Sequence, residues 1–118
     1  RECLPKGGRW IRDVTISNST WGNRMMPLFD AAENIYPVGA GIGPGMALAI
    51  GASMAKDDVK SIAMCGDGGF MLNLPDLWTA VEVNSNVVFM VMNDKGYGVI
   101  KHIQDSLYGG RKNFAASL

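Results

Sequence analysis

The chain alternates short apolar runs with glycine-rich loops and helical patterns. Residues 87–92 are apolar at every position and rich in β-branched side chains, which predicts a strand buried on both faces of a parallel sheet. Residues 61–65 form a second predicted strand. Between them, residues 74–84 place apolar side chains at helical spacing, and Pro75 suits a first helical turn. Residues 61–92 therefore predict one right-handed strand–helix–strand unit.

The same order recurs upstream. Residues 14–16 predict a strand followed by a helix over 25–32, and residues 36–38 predict a short strand followed by a helix over 46–56. The first dozen residues, rich in charge and glycine, predict a loosely ordered lead-in. The predicted fold is an α/β fold, an open parallel sheet with helices on both faces, in one domain that spans residues 1–118.

Composition narrows the class of protein. The chain is 47% hydrophobic and 19% charged, with 11 basic and 11 acidic residues, which is typical of a globular domain. Zero formal charge gives no reason to expect a nucleic acid or a membrane surface as partner, and no apolar run is long enough to cross a bilayer. Two distant cysteines form no disulfide framework, which favours a cytoplasmic location. Because the chain begins at Arg1 and shows no ending signal, we expect it to be a fragment of a longer protein.

The predicted topology brings four loops to one edge of the sheet, namely residues 17–21, 39–45, 66–70 and 93–98. Every loop that follows a strand of a parallel sheet lies on the same edge, and open α/β sheets bind ligands there. These loops hold most of the chain's unusual chemistry, so we expect the functional site at this edge.

Two of these loops offer hard oxygen ligands. In Gly66-Asp67-Gly68-Gly69, one carboxylate stands among glycines whose N–H groups can approach a phosphate, an arrangement that requires a divalent cation between the two charges. The alternative is a tight turn whose aspartate caps the next helix. Asn93-Asp94-Lys95-Gly96 adds an amide, a second carboxylate and backbone carbonyls, or is a plain polar turn.

The other two loops have simpler alternatives. Residues 39–45 fail the G-x-G-x-x-G count, and no phosphate-binding P-loop is present. Ile42, an aliphatic side chain among glycines, fits a core residue best on spacing alone. The hydroxyls of residues 17–20 precede a helix and fit either an N-cap or a phosphate site.

Three motifs in order carry a resemblance to a known family: Gly-x-Gly-Ile-Gly, Gly-Asp-Gly-Gly-Phe and Asn-Asp-x-Gly-Tyr-Gly. They resemble the thiamine diphosphate enzymes, in particular the group of acetolactate synthase, pyruvate oxidase and benzoylformate decarboxylase, over about residues 14–110. The resemblance implies a C-terminal diphosphate-binding domain with thiamine diphosphate and Mg²⁺ as cofactors.

The resemblance also implies roles for single residues. The metal ligands would be Asp67, Asp94 and the carbonyl of Gly96, with Asn93 in place of Asp94 if the loop shifts by one residue. Asp94 departs from the family's usual asparagine and adds a negative charge. Ile42 would be the aliphatic wedge that bends the cofactor, and Val99 with Ile100 would line the substrate pocket. The remaining cofactor contacts would come from Ser19, Thr20, Gly41, Gly68, Gly69 and Tyr97.

The implied activity is decarboxylation or carboligation of a small 2-oxo acid, in a lyase or transferase. In the family, the activating glutamate belongs to a separate pyrimidine-binding domain, usually on a neighbouring subunit. The glutamates of this chain are Glu2, Glu33 and Glu82, and none lies in a candidate loop. We therefore expect a homo-oligomer, and no activity from the isolated chain. Ile100 argues against the pyruvate decarboxylases, which have a glutamate there.

Two other functions are possible. The first is a nucleotide- or dinucleotide-binding domain, against which the failed glycine count and the missing P-loop argue. The second is a non-catalytic module retained for assembly, against which the intact Asp67 and Ile42 argue. His102, the single histidine, is expected on a helix surface.

Overall fold

The structure, a computed structural model, describes residues 2–55, 59–110 and 114–118. Four parallel strands form one sheet in the order β2-β1-β3-β4, with helices packed against it, which confirms the predicted α/β fold. The strands are β1 (Arg9–Arg12), β2 (Asn34–Ile35), β3 (Ser61–Gly66) and β4 (Val87–Met92). The helices are α1 (Gly45–Met54), α2 (Asp67–Leu72), α3 (Asp76–Glu82) and α4 (Gly98–Tyr108), with a π-helix at Asn18–Gly22 and a 3₁₀ turn at Ala31–Glu33.

The register between β3 and β4 sets the position of the loops that follow these two strands. Gly66, the last residue of β3, pairs with Met92, the last residue of β4. The two strands therefore end level with each other, and the residues that follow them, Asp67 and Asn93, start at the same edge of the sheet. This is the edge that the sequence predicts for the site.

One face of the sheet is covered by α1. The core of this face consists of Ile11, Ala63 and Cys65 from the strands and Met46 and Ala49 from the helix, all of them fully buried. Helix α1 carries mostly small residues on its buried side, so its backbone can lie close to the sheet. This packing fixes the start of α1 beside the end of β1.

The opposite face is covered by the N-terminal segment and the π-helix. Trp10 is 1% exposed, and its indole N–H donates to the carbonyl of Gly22 at 3.2 Å. Trp21 of the π-helix packs edge-on against Trp10, with ring centroids 5.8 Å apart. Leu4 and Met64 complete this second core, so helical residues lie on both faces.

The predictions upstream of residue 39 are largely wrong. The first strand is β1, inside the segment predicted as a loose lead-in, and residues 14–16 lie beyond its end. The reason is that Trp10 and Ile11 alternate between two buried faces. The helix predicted over 25–32 is absent apart from the 3₁₀ turn, because Pro27 disfavours the helical conformation of the residue before it, Met26. The strand predicted at 36–38 forms earlier, as β2.

Three further differences concern the rest of the chain. The loop predicted at 66–70 is the start of α2. Strand β4 has the predicted bounds, but it is the edge strand, and Val88 is 49% exposed, so its two faces are not both buried within the described residues. Helix α3 falls within the predicted segment 74–84, whereas α1 begins one residue before the predicted segment 46–56, whose last residue, Lys56, lies outside the described residues. No helix among the described residues is long and apolar enough to span a bilayer.

Candidate functional site

A cavity of about 480 Å³ lies at the carboxyl edge of the sheet. Its walls come from the segment after β1, from residues 39–45 (called here the glycine loop), from the junction of β3 with α2, and from the segment between β4 and α4. Most of the predicted site residues meet here. They are Gly41, Ile42, Asp67, Gly68, Gly69, Asp94, Gly96, Tyr97, Val99 and Ile100.

Asp67 is held in a fixed orientation at the start of α2. Its side chain is 9% exposed; Oδ1 accepts from the N–H of Gly68 at 2.9 Å and Oδ2 accepts from the N–H of Gly96 at 3.2 Å. A carboxylate has about four acceptor positions, so two N–H donors leave room for a cation.

The structure directs Asp94, rather than Asn93, to the cavity. Asp94 lines the wall, and its Oδ2 occupies the space that a side chain at Gly98 would need. The side chain of Asn93 instead accepts from the N–H of Lys95 at 2.9 Å, in a turn where Lys95 has a positive φ of 62°. Asn93 therefore stabilises the turn that presents Asp94.

These oxygen donors fit a hard divalent cation. The carboxylates of Asp67 and Asp94, with the carbonyl of Gly96 two residues after Asp94, are the kind of ligands that Mg²⁺ prefers, together with phosphate oxygens and water. No group of three or more His, Cys, Asp or Glu side chains comes together among residues 2–55, 59–110 and 114–118. A cation bound here would therefore complete its shell with backbone and ligand oxygens.

The backbone around Tyr97 is already hydrogen-bonded. Its N–H donates to the carbonyl of Ala116 at 2.8 Å, so this group is not free to reach a diphosphate in the observed conformation. The ring of Tyr97 packs on Gly68, where a Cβ would lie 2.7 Å from a ring carbon. In this structure Tyr97 lines the cavity, and its ring packs on Gly68. Its role as an N–H donor to the diphosphate stays a prediction.

Ser19 and Thr20 do not line this cavity. The hydroxyl of Ser19 donates to the carbonyl of Thr15 at 3.3 Å, and that of Thr20 donates to the carbonyl of Ile16 at 3.1 Å. Ser19 lines an adjoining cavity of about 420 Å³. Thr15 lines both cavities, and its Oγ1 lies 3.2 Å from a Cβ placed at Gly66. Sequence reasoning missed Thr15 because it placed the first strand too late.

Asp13 is a second residue that sequence reasoning missed. It follows β1 directly and is 3% exposed, and both of its carboxylate oxygens accept from the N–H of Gly43, at 3.0 and 2.9 Å. Burial raises the pKa of Asp13, while hydrogen bonds from Val14, Gly43 and Gly45 lower it. The available signal was an acidic residue at the end of a strand, but that strand was not recognised.

The glycine loop and α4 supply the apolar walls. Ile42 is half-buried and lines the cavity, so the alternative of a core residue does not hold. Val99, Ile100 and Ile103 project from the first turns of α4, and Ile103 could have been found from its spacing of three residues from Ile100.

The remaining titratable candidates lie outside this cavity. His102 is exposed on α4, as expected. Glu2 and Glu82 are exposed, and the buried carboxylate of Glu33 accepts from the N–H groups of Gly7 and Phe29. None of these side chains lines the cavity, and the titratable groups of its wall within the described part of the chain are Asp67, Asp94 and the phenol of Tyr97.

A family profile described as "Thiamine pyrophosphate enzyme, C-terminal TPP binding domain" matches residues 16–117. The chain belongs to this family. The match covers the segments of Asp67 and Asp94, the glycine loop and α4, and it confirms the resemblance that the three motifs carry. Thiamine pyrophosphate (TPP) is the same compound as thiamine diphosphate.

Individual relatives agree with the family. The TPP-binding domain is 34% identical over 98 residues to acetolactate synthase isozyme 1 large subunit of Escherichia coli K12, covering 82% of the chain and 17% of the relative. It is 34% identical over 109 residues to the acetolactate synthase large subunit of Haemophilus influenzae, covering 92% of the chain and 19% of the relative. The chain thus spans less than a fifth of the length of either relative.

A solved structure supports the fold. The TPP-binding domain superposes on the thiamine diphosphate-dependent 4-hydroxybenzoylformate decarboxylase of Rhodococcus jostii RHA1 with a TM-score of 0.83 and 24% sequence identity. The match covers 99% of the chain and 22% of that protein. At this identity the likeness shows a shared fold.

Proposed function

We propose that this domain holds the diphosphate of thiamine diphosphate through Mg²⁺, in an enzyme that decarboxylates or carboligates a small 2-oxo acid. The reaction class would be that of acetolactate synthase-like lyases and transferases. The observation that carries the proposal is that Asp67, Asp94 and Ile42 line the same cavity at the carboxyl edge of the sheet. Metal ligands at one end and an aliphatic support at the other are what a cofactor with a diphosphate and a ring system requires.

The charge of the cavity wall supports the need for a cation. Among residues 2–55, 59–110 and 114–118, the lining includes two aspartates and no lysine, arginine or histidine. A diphosphate brought against two carboxylates would be repelled, because like charges at short distance in a partly buried site interact strongly. A divalent cation that both carboxylates and the carbonyl of Gly96 hold reverses this repulsion.

The apolar walls of the cavity suit the ring system of the cofactor and the substrate. When bound, the cofactor supplies the carbon nucleophile for 2-oxo acid chemistry, and the protein binds and orients it. Ile42 gives the ring system an apolar support, and Val99, Ile100 and Ile103 form an apolar wall on the side of α4. Such a wall accepts a small apolar substituent on the substrate and excludes water from the reacting carbon.

The proposal also assigns a partner. No glutamate is among the described residues that line the cavity, so the group that activates the cofactor would come from a pyrimidine-binding domain, on another subunit of a homo-oligomer. The isolated chain would then be inactive. Two free cysteines, Cys3 and Cys65, fit a cytoplasmic location, which is part of the proposal.

Ligand binding tests the proposal. With the protein at its natural length, we expect thiamine diphosphate and MgCl₂ together to raise the melting temperature, because a ligand that binds only the folded state stabilises it. Neither NAD nor MgCl₂ with NAD should do so, and consumption of a 2-oxo acid such as pyruvate should require the cofactor. Stabilisation by NAD without any effect of thiamine diphosphate would favour the dinucleotide-binding alternative and overturn the proposal.

A further inference from the structure

We infer that Asp13 is a positioning residue, which holds the glycine loop so that Ile42 supports the bound cofactor. The inference rests on the proposed function, since it assigns to Asp13 a role in the same site. Asp13 does not line the 480 Å³ cavity, so it acts through the loop and not by contact with the cofactor.

Asp13 is itself rigidly placed. Its backbone N–H donates to the carbonyl of Met64 at 2.9 Å, which continues the pairing of β1 with β3 by one residue. Its Oδ1 accepts from the N–H of Val14 at 2.8 Å, which fixes the side-chain rotamer. The carboxylate is therefore a fixed point attached to the end of a central strand.

The carboxylate binds the loop beside Ile42. The N–H of Gly43 lies 3.0 and 2.9 Å from the two oxygens of Asp13, and Gly43 has a positive φ of 108°. A positive φ favours glycine. The hydrogen bond from the N–H of Gly43 to Asp13 holds the backbone in this conformation. Because Ile42 precedes Gly43 directly, the bond to Asp13 sets where the Ile42 side chain enters the cavity.

Asp13 also joins the loop to both flanking helices. A Cβ at Gly45, the first residue of α1, would lie 2.7 Å from the Cβ of Asp13. A Cβ at Gly69, in α2, would lie 2.5 Å from Asp13 Oδ2 and 3.1 Å from the N–H nitrogen of Gly43. Helix α2 begins with Asp67, a proposed metal ligand. The close approach of Asp13 to Gly69 therefore links the position of Ile42 to that of the proposed metal site.

Stability alone does not account for a charged group here. Burial raises the pKa of Asp13, which means that its surroundings disfavour the charged form despite three backbone hydrogen bonds. A buried carboxylate of this kind costs free energy relative to a neutral side chain of similar shape. A role in function accounts for a carboxylate at this place: its hydrogen bond to Gly43 fixes the glycine loop for the cofactor.

A double-mutant cycle on the protein at its natural length tests the inference. The variants are Asp13→Asn, Ile42→Ala and the pair, and the measurements are dissociation constants for thiamine diphosphate and for inorganic diphosphate, both with saturating Mg²⁺. Asp13→Asn should weaken thiamine diphosphate binding at least about tenfold and inorganic diphosphate binding less than about threefold, because inorganic diphosphate lacks the ring system that Ile42 would support. Ile42→Ala should cost less affinity in the Asp13→Asn background than in the wild type.

Matched variants separate positioning from general stability. Asp30→Asn changes an exposed side chain that accepts from the N–H of Ala32, outside the glycine loop and the cavity wall, and it should leave both dissociation constants unchanged. Gly45→Ala displaces Asp13 from the side of α1 and should repeat the selective loss, which keeps the test valid if Asp13→Asn folds poorly.

The outcomes are distinguishable. Strictly multiplicative effects of the two substitutions, or a lower melting temperature with unchanged dissociation constants, would show that Asp13 is only structural and would overturn the inference. A wild-type protein that binds neither ligand in the presence of Mg²⁺ would overturn the proposed function and the inference with it.

Discussion

Asp67 accepts a hydrogen bond from the N–H of Gly96 at 3.2 Å, and this bond joins the start of α2 to the loop that follows β4. The two residues stand 29 positions apart, and the level ends of β3 and β4 bring them together. The loops that carry the proposed metal ligands are thus connected by the protein itself. A cation would bind to a site whose two halves are already held in register.

Replacing Asp67 by asparagine should impair metal binding most. The substitution removes a charge and places an amide where the N–H groups of Gly68 and Gly96 need an acceptor. Charge-assisted contacts contribute about 1.5–3 kcal/mol, so the dissociation constant for Mg²⁺ should rise roughly 10- to 100-fold. Isothermal titration with MgCl₂ in the presence of thiamine diphosphate measures it.

Asp76→Asn is the matched control for this experiment. Asp76 also lies in the first turn of a helix, but it does not line the cavity. Equal effects of the two substitutions on Mg²⁺ affinity would contradict the assignment of Asp67 as a ligand.

Asp94 and Asn93 should respond differently to substitution. Asp94→Asn keeps an oxygen ligand but removes one charge from the cavity, so Mg²⁺ affinity should fall by a smaller factor than in Asp67→Asn. Asn93→Ala removes the acceptor for the N–H of Lys95 and should lower stability by about 0.5–1.5 kcal/mol with little change in Mg²⁺ affinity. Urea unfolding and metal titration of both variants separate the two roles, and a larger loss of affinity in Asn93→Ala would show that the loop binds in the other register.

The sequence predicts the downstream half of the fold well because its elements carry their own signals. Strand β4 is apolar throughout, and Pro75 and Asp76 precede a helix of regular spacing. Strand β1 has no such signal: it is four residues long, with an arginine at each end of a Trp-Ile pair. Its identity as a strand depends on pairing with β3, some fifty residues later, which local patterns cannot reveal.

The same difference between local signals and distant pairing explains which site residues the sequence could predict. Ile42, Asp67 and Asp94 could be placed together because each follows a strand or a glycine-rich segment that the sequence marks. The late placement of the first strand moved the expected hydroxyls to Ser19 and Thr20, whereas Thr15 lines the cavity. Asp13 could not be predicted from local patterns, because its hydrogen bond is to a backbone N–H thirty residues away.

A side chain at Gly98 should displace the carboxylate of Asp94. A Cβ added there would collide with Asp94 Oδ2, and it would lie 3.3 Å from the Cδ1 of Ile16. Gly98→Ala should therefore weaken Mg²⁺ binding, although alanine is the better residue for the start of a helix.

Gly51→Ala provides the comparison. Gly51 lies within α1, and no described residue outside the neighbouring helix backbone comes within 4 Å of an added Cβ, so alanine there should stabilise the protein by up to about 1 kcal/mol and leave metal binding unchanged. Unchanged Mg²⁺ affinity in Gly98→Ala would show that Asp94 is not a ligand in the observed position.

The two cysteines should differ sharply in reactivity. Cys65 is fully buried in the core between the sheet and α1, and burial, reinforced by the charge of Asp13, raises its pKa from 9.0 to about 12. Only the thiolate is nucleophilic, so at pH 8 iodoacetamide should modify the exposed Cys3 in the folded protein and Cys65 only after unfolding. Peptide mapping by mass spectrometry distinguishes the two sites.

The raised pKa of Cys65 also has a consequence for stability. Because folding favours the protonated thiol, the folded state binds more protons than the unfolded state between pH 9.0 and about 12. This contribution is complete below pH 9 and is lost as the pH rises towards 12. Cys65→Ala should therefore lose less stability than the wild type over this interval in urea titrations, and an identical pH dependence would contradict burial of the thiol in the folded protein.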